Sequence, residues 1–251
     1  MTAIATDELD KIDEAFAGNR LLSTFPAEAR ALIEPFGEVV RLKVGDIVQS
    51  RGQDVDVTYF PYDEAMVSLV VQLGAGRSVE VASIGHEGAV GGIVSCGHAP
   101  AFARAQVLVG GPALKVPMQA LEDAKMRSGY IRNLFCRFSD YLLAQVMQSA
   151  ACNAYHTIEQ RAARWLLTAQ DRAGSQIGLT QEAFAGLLGV QRTTVNAVVR
   201  VLQDEGLIST RRGMIHVVDR AGLKRRACEC HDAVEHHFGA IIGPGGASAD
   251  S

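Results

Sequence analysis

The spacing of hydrophobic residues changes character along the chain and predicts an α+β protein built from several parts. Residues 7–36 hold two short helical patterns, the second with Pro26 near its start and Gly37 just past its end. From Val39 to about Pro117, short β-branched or alternating runs are cut by turn residues. Closely spaced strands of this kind predict a β-sandwich or β-barrel in the N-terminal half.

A long helical pattern follows, from about Leu121 to Asn153, and it contains no proline. Its length exceeds that of most globular helices, and its apolar residues recur at steps of three and four. Such a helix often pairs with its own copy, although it could instead pack against its own barrel. We expect a dimerisation helix over 121–153, with an interface of Ile131, Leu134, Phe135, Phe138, Leu142 and Val146.

Two shorter helices with clear end signals are predicted next. Thr157 and Gln160 form a capping-box pattern at the start of one helix, which Gly174 ends. In "LTQEAFAGLLGVQRTTVNAVVRVLQDEGLI", Thr180 is a good N-cap and Gly189 stands where a helix commonly stops. The stretch therefore reads as helix, tight turn, helix.

The second helix of that pair has two different faces. Val195, Val198, Val199 and Leu202 form an apolar stripe, and a polar stripe lies on the other side. The following "LISTRRGMIHVV" predicts two short strands around "RRG", a basic hairpin. Helix, turn, helix and basic hairpin together are the winged form of the helix-turn-helix, whose second helix enters the major groove of DNA.

These positions give a predicted set of DNA contacts. An arginine at the start of the second helix can grip guanine in a bidentate way, and helix N-termini and exposed arginines attract phosphates. For base readout we expect Arg192, Thr193, Asn196 and Arg200. For the DNA backbone we expect Thr180, Gln181, Ser209, Arg211 and Arg212.

Charge and composition support a globular protein with a local polyanion footprint. The net charge is -4, but residues 1–125 carry 10 basic against 17 acidic side chains, and residues 176–226 carry 8 against 4. A basic segment inside an acidic protein fits DNA binding. No apolar run is long enough for a membrane helix, and the acidic N-terminus is unlike a signal peptide, so we expect no membrane contact and a cytoplasmic location.

The helix-turn-helix stretch with its "TRRGMIHVVD" hairpin resembles the C-terminal domain of Crp/Fnr transcription regulators. The resemblance covers about residues 20–226. It implies a jelly-roll, cyclic-nucleotide-binding-like sensor over 1–120, a dimerisation helix over 121–153 and a winged helix-turn-helix over 154–226. It also implies a homodimer on double-stranded DNA with a pseudo-palindromic operator, and contacts with RNA polymerase.

The resemblance also bears on the bases that are read. Arg192 falls on the guanine-contacting arginine of the family. Thr193 stands where many members carry a glutamate, and Ala197 stands where the best-known cyclic-AMP receptor carries a second arginine. We therefore expect a half-site related to the commonest one of the family but different from it.

An effector site is implied in the glycine-rich stretch "IGHEGAVGGIVSCGHAPAFARAQV". The residues that match a nucleotide-binding turn are Gly88, Ala89, Gly91, Gly92, Arg104 and Ala105. The glutamate that holds the ribose falls near Ala89 and is missing, and Glu87 lies earlier in the turn. A nucleotide-like effector is thus an expectation in which cyclic AMP is not favoured. The alternative is a degenerate barrel whose glycines only make turns.

The sequence gives little support for a metal centre of either of two kinds. Members of the family with an iron–sulfur cluster carry several cysteines near the N-terminus, whereas the first cysteine here is Cys96, so we expect no cluster. "CECHDAVEHH" at 228–237 is rich in ligand types, but C-x-C is not a common zinc spacing, and on a helix Cys228 and Cys230 would diverge. We predict no metal site there, and partial disorder over 227–251.

The sequence therefore favours a DNA-binding transcription regulator, not an enzyme. The first alternative is a ligand-binding signalling module with vestigial DNA binding. The second is a cupin-like barrel enzyme, which would need clustered histidines and carboxylates on strands, and "GHEG" offers a single His–Glu pair.

Overall fold

The computed structural model describes residues 6–74, 77–92 and 100–243. Side chains are described from residue 9 onward within the first of these ranges. The chain divides into two compact units: one is Met1–Val67 with Ile84–Asp140, and the other is Ser68–Ser83 with Tyr141–Ser251. The hairpin of residues 68–83 thus belongs to the same unit as the C-terminal part of the chain.

Helices lie at both ends of the chain, and strands occupy most of the N-terminal half. The helices are α1 (Thr6–Gly18), α2 (Ala27–Ile33), α3 (Met118–Arg127), α4 (Gly129–Tyr155), α5 (Ile158–Ala173), α6 (Gln181–Leu188), α7 (Arg192–Asp204), α8 (Arg220–Arg226) and α9 (Cys230–Ile241). Single 3-10 turns lie at Leu22–Thr24 and Glu34–Phe36.

The strands are short and paired in antiparallel fashion wherever a register is assigned. They are β1 (Glu38–Leu42), β2 (Ile47–Gln49), β3 (Val57–Pro61), β4 (Met66–Gln72), β5 (Ser78–Ile84), β6 (Arg104–Val109), β7 (Gly111–Pro117), β8 (Gln176–Ile177), β9 (Ile208–Arg211) and β10 (Met214–Val217). The predicted α+β class, with strands ahead of a helical C-terminal half, is confirmed.

The first unit is built around the three-stranded sheet β1-β7-β3 and the β2–β6 pair. Alternate residues of β3 and β7 point inward, so Phe60, Leu114 and Val116 are fully buried. The side chain of Asn19, also buried, donates to the carbonyls of Pro61 and Gly88 and accepts from the backbone after α1. Every polar atom of that amide is therefore used to join the N-terminal helix to the strands.

The predicted long helix over 121–153 is two helices, which corrects that expectation. Residue Ser128 is extended, with φ -127° and ψ 112°, and ends α3. Its hydroxyl then accepts from Ile131 N at 3.3 Å, which is the N-cap role that serine prefers. The 27-residue α4 starts there and runs to Tyr155, two residues beyond the predicted end.

The second unit contains a three-helix core with a small sheet. The capping box at Thr157 forms as predicted, with Gln160 N and Thr157 N each bonded to the opposite side chain. The sheet has the order β8-β10-β9, and β9 and β10 are joined by a two-residue loop. Helices α5, α6 and α7 with this hairpin form the predicted winged helix-turn-helix.

The C-terminal extension is helical over most of its described length, residues 227–243. Helix α9 buries Phe238, whose ring meets that of Tyr141 edge-on at 4.9 Å between centroids. His231 bonds Asp171 of α5 at 2.7 Å, and Arg220 of α8 bonds the same carboxylate at 2.6 Å. Residues 244–251, part of the segment expected to be disordered, lie outside the described residues.

Candidate nucleic-acid interface

The turn between α6 and α7 is fixed by signals at both ends of α6. The hydroxyl of Thr180 accepts from Ala183 N at 3.1 Å and caps the start of the helix. Gly189 ends it in the left-handed region at φ 68°, where a residue without Cβ is favoured. Only Val190 and Gln191 then separate Gly189 from the first residue of α7, so the two helices are joined by a tight turn.

Helix α7 buries one face and exposes the other. Its buried residues are Val195, Val198, Val199 and Leu202, as the sequence predicts. The residues expected to read bases, Arg192, Thr193, Asn196 and Arg200, are all exposed. The side chains of Arg192 and Arg200 are 63% and 84% accessible, so both guanidinium groups are available to a partner.

The hairpin β9–β10 presents its basic side chains at a tight tip. Arg212 and Gly213 form the two-residue loop, and both have positive φ, 46° and 79°. This is the type I′ geometry, which normally selects Asn, Asp or Gly at its first position. An arginine there accepts local backbone strain, which is a reason to look for a function in its side chain. Arg211 and Arg212 are both exposed.

Four of the five predicted backbone-contacting residues lie around one cleft of about 440 Å³ in the second unit. The start of α6, the start of α7 and the tip of the hairpin supply its walls. The predicted DNA contacts that line it are Thr180, Gln181, Arg192, Arg211 and Arg212. Residues separated by more than thirty positions in the sequence thus share one basic surface. Ser209, Thr193, Asn196 and Arg200 lie outside this lining.

An acidic residue in the same cleft was missed by the sequence reasoning. Glu182, in the first turn of α6, lies with its Oε2 3.7 Å from Arg192 Nε. Both side chains are mostly exposed, so the pair contributes little to stability. The pair places a carboxylate beside the arginine that is predicted to read bases.

Helix α5 holds the first helix of the motif in place. Arg161, buried on α5, donates from Nη2 to the carbonyl of Leu188 at 2.7 Å and so satisfies the C-terminus of α6. Trp165 packs against Phe184 with ring centroids 5.2 Å apart. A buried arginine at helical spacing gives no signal by itself, which is why sequence reasoning did not find this role.

The β4–β5 hairpin contacts α5 through polar groups. Glu80 of β5 accepts from Trp165 Nε1 at 2.7 Å and from the Ser68 hydroxyl at 2.6 Å. Burial raises the pKa of the Glu80 carboxyl, and these two hydrogen bonds oppose that effect without cancelling it. Arg172, also buried, donates to the hydroxyls of Ser83 and Tyr141. Strand β5 is therefore tied to α5 by hydrogen bonds that are mostly shielded from water.

The residues expected at the dimer interface divide into two groups. Ile131, Leu134, Phe135 and Phe138 are already buried within the single chain, where Phe135 meets Phe60 edge-on at 6.2 Å between centroids. Leu142 is half-buried and Val146 is 39% exposed. The first group is therefore covered by its own unit, and sequence periodicity could not distinguish that packing from an interface.

The glycines of the candidate effector turn are packed against protein. A Cβ at Gly88 would overlap the ring of Phe138 on α4. Gly91 and Gly92 have positive φ, and a Cβ on either would overlap Val57 O or the Met118 sulfur. These glycines are thus required by close approach of neighbouring elements, which the sequence could not separate from close approach of a ligand.

The other candidate effector residues differ in how their polar groups are used. Ala89 and Ala105 are fully buried. One carboxylate oxygen of Glu87 accepts from Gly85 N at 3.0 Å, inside its own turn. Arg104 Nε, in contrast, is buried and finds no hydrogen-bond partner among the residues that the structure describes. Lys125 of α3, which sequence reasoning missed, reaches the carbonyl of Gly92 at 3.4 Å.

The segment "CECHDAVEHH" does not form a cluster of its own. Helix α9 begins at Cys230, so Cys228 lies before it, and the expected divergence of the two thiols on a helix is wrong. Their sulfur atoms instead approach Cys152 and His156. Hydrogen bonding from the Cys228 thiol lowers the pKa of Cys152 despite its burial. Cys96, used above against an iron–sulfur cluster, lies outside the described residues.

The fold and the cleft define a winged helix-turn-helix protein with a strand-rich N-terminal half. Residues 160–226 match the family model of the Crp-like helix-turn-helix domain. This match confirms the resemblance drawn from the sequence for this part of the chain. A search of curated protein sequences found no match.

Three solved structures share the fold of the chain, the first of them described as a regulator of the Crp/Fnr family. A regulator of this family from Eubacterium rectale aligns with a TM-score of 0.63 at 16% identity, covering 84% of this chain and 97% of its own. FixK2 from Bradyrhizobium japonicum gives 0.65 at 15%, covering 76% and 98%. The c-di-GMP responsive global regulator CLP from Xanthomonas campestris gives 0.62 at 15%, covering 77% and 100%.

The family-model match supports the predicted class, a DNA-binding transcription regulator, and the solved structures support the fold. Neither alternative is favoured by these comparisons. That the chain is not an enzyme stays a prediction. Among the described residues, no helix combines the length and the apolar character that crossing a membrane requires.

Proposed function

We propose that this chain is a sequence-specific DNA-binding transcription regulator that acts as a homodimer. The observation that carries the proposal is the single basic cleft that joins the starts of α6 and α7 to the hairpin tip. DNA binding would place the protein in the cytoplasm of a bacterial cell. Contact with RNA polymerase belongs to the same proposal and rests on the resemblance to Crp/Fnr regulators alone.

In this proposal α7 lies in the major groove. The groove is about 12 Å wide, which admits one helix. Arg192 stands at the helix start and would contact guanine through two parallel hydrogen bonds, with Thr193 and Asn196 beside it and Arg200 two turns further on. Thr180, Gln181, Ser209 and the two hairpin arginines would hold the phosphates on either side of the groove.

Glu182 would act as a local competitor for Arg192. In the free protein its carboxylate lies beside the guanidinium, and on DNA it would lie beside phosphates of the same sign. Replacing it with glutamine should therefore strengthen binding to every DNA sequence. The expected gain arises from removed repulsion, so it should shrink as salt rises.

For the dimer we propose an interface shifted along α4 from the one predicted. Exposed positions alternate at steps of four and three, which is the spacing of a two-stranded coiled coil. In the second unit these positions are Leu143, Met147 and Ala150. Leu143 and Met147 expose 55% and 58% of their surface, a large apolar area to leave in water. Two copies joined here would read two half-sites related by two-fold symmetry.

For the sensor we propose an anionic, nucleotide-like effector that pairs with Arg104. The support is the buried Nε of Arg104, for which the described part of the chain supplies no hydrogen-bond partner, because such a donor is costly to leave unpaired. Cyclic AMP is not favoured, since Glu87 is engaged within its own turn and Ala89 has no hydrogen-bonding side chain. A shift of the turn would reach α4 through the contact of Gly88 with Phe138.

The test is selection of bound sequences from a random DNA pool, followed by fluorescence anisotropy at two salt concentrations. Arg192→Ala should weaken binding to the selected site by about 1–3 kcal/mol per half-site, while non-specific binding changes little. Removing Arg211 and Arg212 should make binding less sensitive to salt. The slope of log affinity against log salt concentration should become shallower by about 1 for each lost phosphate contact. Arg225→Ala, an exposed arginine of α8 outside the cleft lining, is the matched control and should change neither quantity.

Unchanged sequence preference in Arg192→Ala, or equal losses in Arg192→Ala and Arg225→Ala, would refute the assigned interface. Affinity that is insensitive to salt would refute DNA binding by this surface altogether. Repeating the selection with cyclic AMP, cyclic GMP and c-di-GMP tests the effector. An effect that survives in Arg104→Ala would refute the role proposed for that arginine.

A further inference from the structure

Four metal-ligand side chains converge in the second unit, outside the DNA-binding cleft. The sulfurs of Cys152, Cys228 and Cys230 and a ring nitrogen of His156 all lie within 4.8 Å of one another. The three cysteines are buried, with 5% exposure or less, and His156 is largely covered. No step of the proposed DNA-binding mechanism uses these groups.

The distances fit one ion held tetrahedrally. Zinc binds thiolate sulfur at about 2.3 Å and imidazole nitrogen at about 2.0–2.1 Å. A tetrahedral angle at the ion therefore places two sulfur ligands about 3.8 Å apart and a sulfur and a nitrogen ligand about 3.5 Å apart. The Cys152 and Cys228 sulfurs are 3.6 Å apart, and Cys230 Sγ is 3.4 Å from His156 Nδ1. The set is too compact to enclose several irons with their bridging sulfides.

The surroundings of the four groups are those of a metal site. The second ring nitrogen of His156 lies 3.3 Å from a Glu229 carboxylate oxygen, an arrangement that fixes the ring and leaves Nδ1 facing Cys230. Gln148 Nε2 donates to Cys230 Sγ at 3.1 Å. Arg161 and Arg164 also act on the thiols electrostatically, and would balance the excess negative charge of three thiolates around a dication.

The positions of the ligands in the chain suggest what the ion does. Cys152 and His156 come just before residues 160–226, the segment that matches the Crp-like domain, and Cys228 and Cys230 come just after it. Cys152 lies in the last turn of α4, and Cys230 is the first residue of α9. An ion bound by both pairs would hold the two ends of the domain together.

We propose that Cys152, His156, Cys228 and Cys230 bind one zinc ion, which links the N-terminal and C-terminal ends of the DNA-binding domain. Thiolate and imidazole ligands in a small tetrahedral set select zinc among the abundant metals. Four protein ligands leave no open coordination position, so the ion has a structural role. It also gives the C-terminal extension a function, because that extension supplies half of the ligands.

The experiment measures metal content in the full-length protein, purified without a histidine tag and under reducing conditions. The wild type should hold about one zinc per chain, which a thiol-specific mercurial should release. Cys228→Ser and His156→Asn should each hold less than about a fifth of that amount. Cys136→Ser removes an exposed cysteine from the same helix α4 and should retain the full content.

A second measurement needs no variant and so does not depend on folding of the mutants. Cobalt(II) added to metal-free wild-type protein should give thiolate-to-cobalt charge transfer and the intense d–d absorption of a tetrahedral site, and zinc should abolish both. Wild-type protein that takes up neither zinc nor cobalt would overturn the proposal. A Cys152–Cys228 disulfide that still forms when reduced protein is reoxidised with zinc present would also overturn the proposal. Equal metal loss in Cys136→Ser and Cys228→Ser would overturn it as well.

Discussion

The turn glycine of the helix-turn-helix allows a prediction with an internal control. Gly189 has φ 68°, a conformation in which an L side chain costs about 1–2 kcal/mol because Cβ crowds the following carbonyl oxygen. A Cβ at this position would also lie 3.2 Å from Val79 Cγ2 of the β4–β5 hairpin, which adds crowding to strain. We therefore expect Gly189→Ala to lower the free energy of unfolding by about 1–2 kcal/mol or somewhat more.

Gly186, one turn earlier in the same helix, supplies the matched control. It is exposed, and a Cβ there meets no atom within 4 Å. Because alanine is favoured over glycine inside a helix by about 1 kcal/mol, Gly186→Ala should stabilise the protein. The two single-methyl additions should thus differ by about 2–3 kcal/mol, or about 4–12 °C in Tm for a chain of this size.

Thermal and urea unfolding of the two full-length variants, followed by circular dichroism, measures this difference. Anisotropy at low temperature, where both variants are folded, should leave affinity for the selected DNA nearly unchanged in Gly186→Ala and reduce it in Gly189→Ala. If both substitutions shift stability in the same direction by similar amounts, the left-handed turn and its contact with Val79 are not what fixes the angle of the motif.

Three further outcomes are expected. Glu80→Gln should gain stability relative to wild type as the pH rises above the ordinary glutamate range, because the raised pKa of Glu80 means that charging it costs more in the folded state. A difference in unfolding free energy between the two proteins that stays constant from pH 4.5 to pH 8 would contradict this. Met147→Glu should yield monomers in sedimentation, whereas Met126→Glu, which alters a methionine of α3 that is 73% exposed, should stay dimeric; dimers in both would move the interface elsewhere. Gly88→Ala should lower the free energy of unfolding by about 1–3 kcal/mol, because the added methyl overlaps Phe138. Adding Phe138→Leu to the same chain should recover part of that stability in urea unfolding, and no recovery would argue against the contact.

Local chemistry explains why the helix-turn-helix was predictable. A capping threonine, a glycine at the end of α6 and a stripe of valines act within a few residues of one another, so each leaves a readable pattern. The exposed set led by Arg192 follows from the same periodicity, because the side opposite a buried helical stripe must face outward. The position of the hairpin tip was equally visible, since Gly213 supplies one of the two positive-φ positions that a type I′ loop needs.

Tertiary packing decided the features that periodicity could not distinguish. Apolar side chains at helical spacing are required both by a core and by a dimer seam, so the pattern of α4 left open whether Phe138 meets its own unit or a partner, and the structure buries it in its own unit. Glycines at 88, 91 and 92 raise the same ambiguity between close approach of a ligand and close approach of a neighbouring strand or helix.

The sequence by itself determined the class of this protein, because the helix-turn-helix and its basic face are encoded by residues close to one another in the chain. Only the tertiary structure decided the position of the cysteine and histidine cluster. Its members lie in two pairs about seventy residues apart, and neither C-x-C nor a cysteine four residues before a histidine is informative alone. Metal ligation depends on distances in space, which a linear pattern carries only when the ligands share one local element.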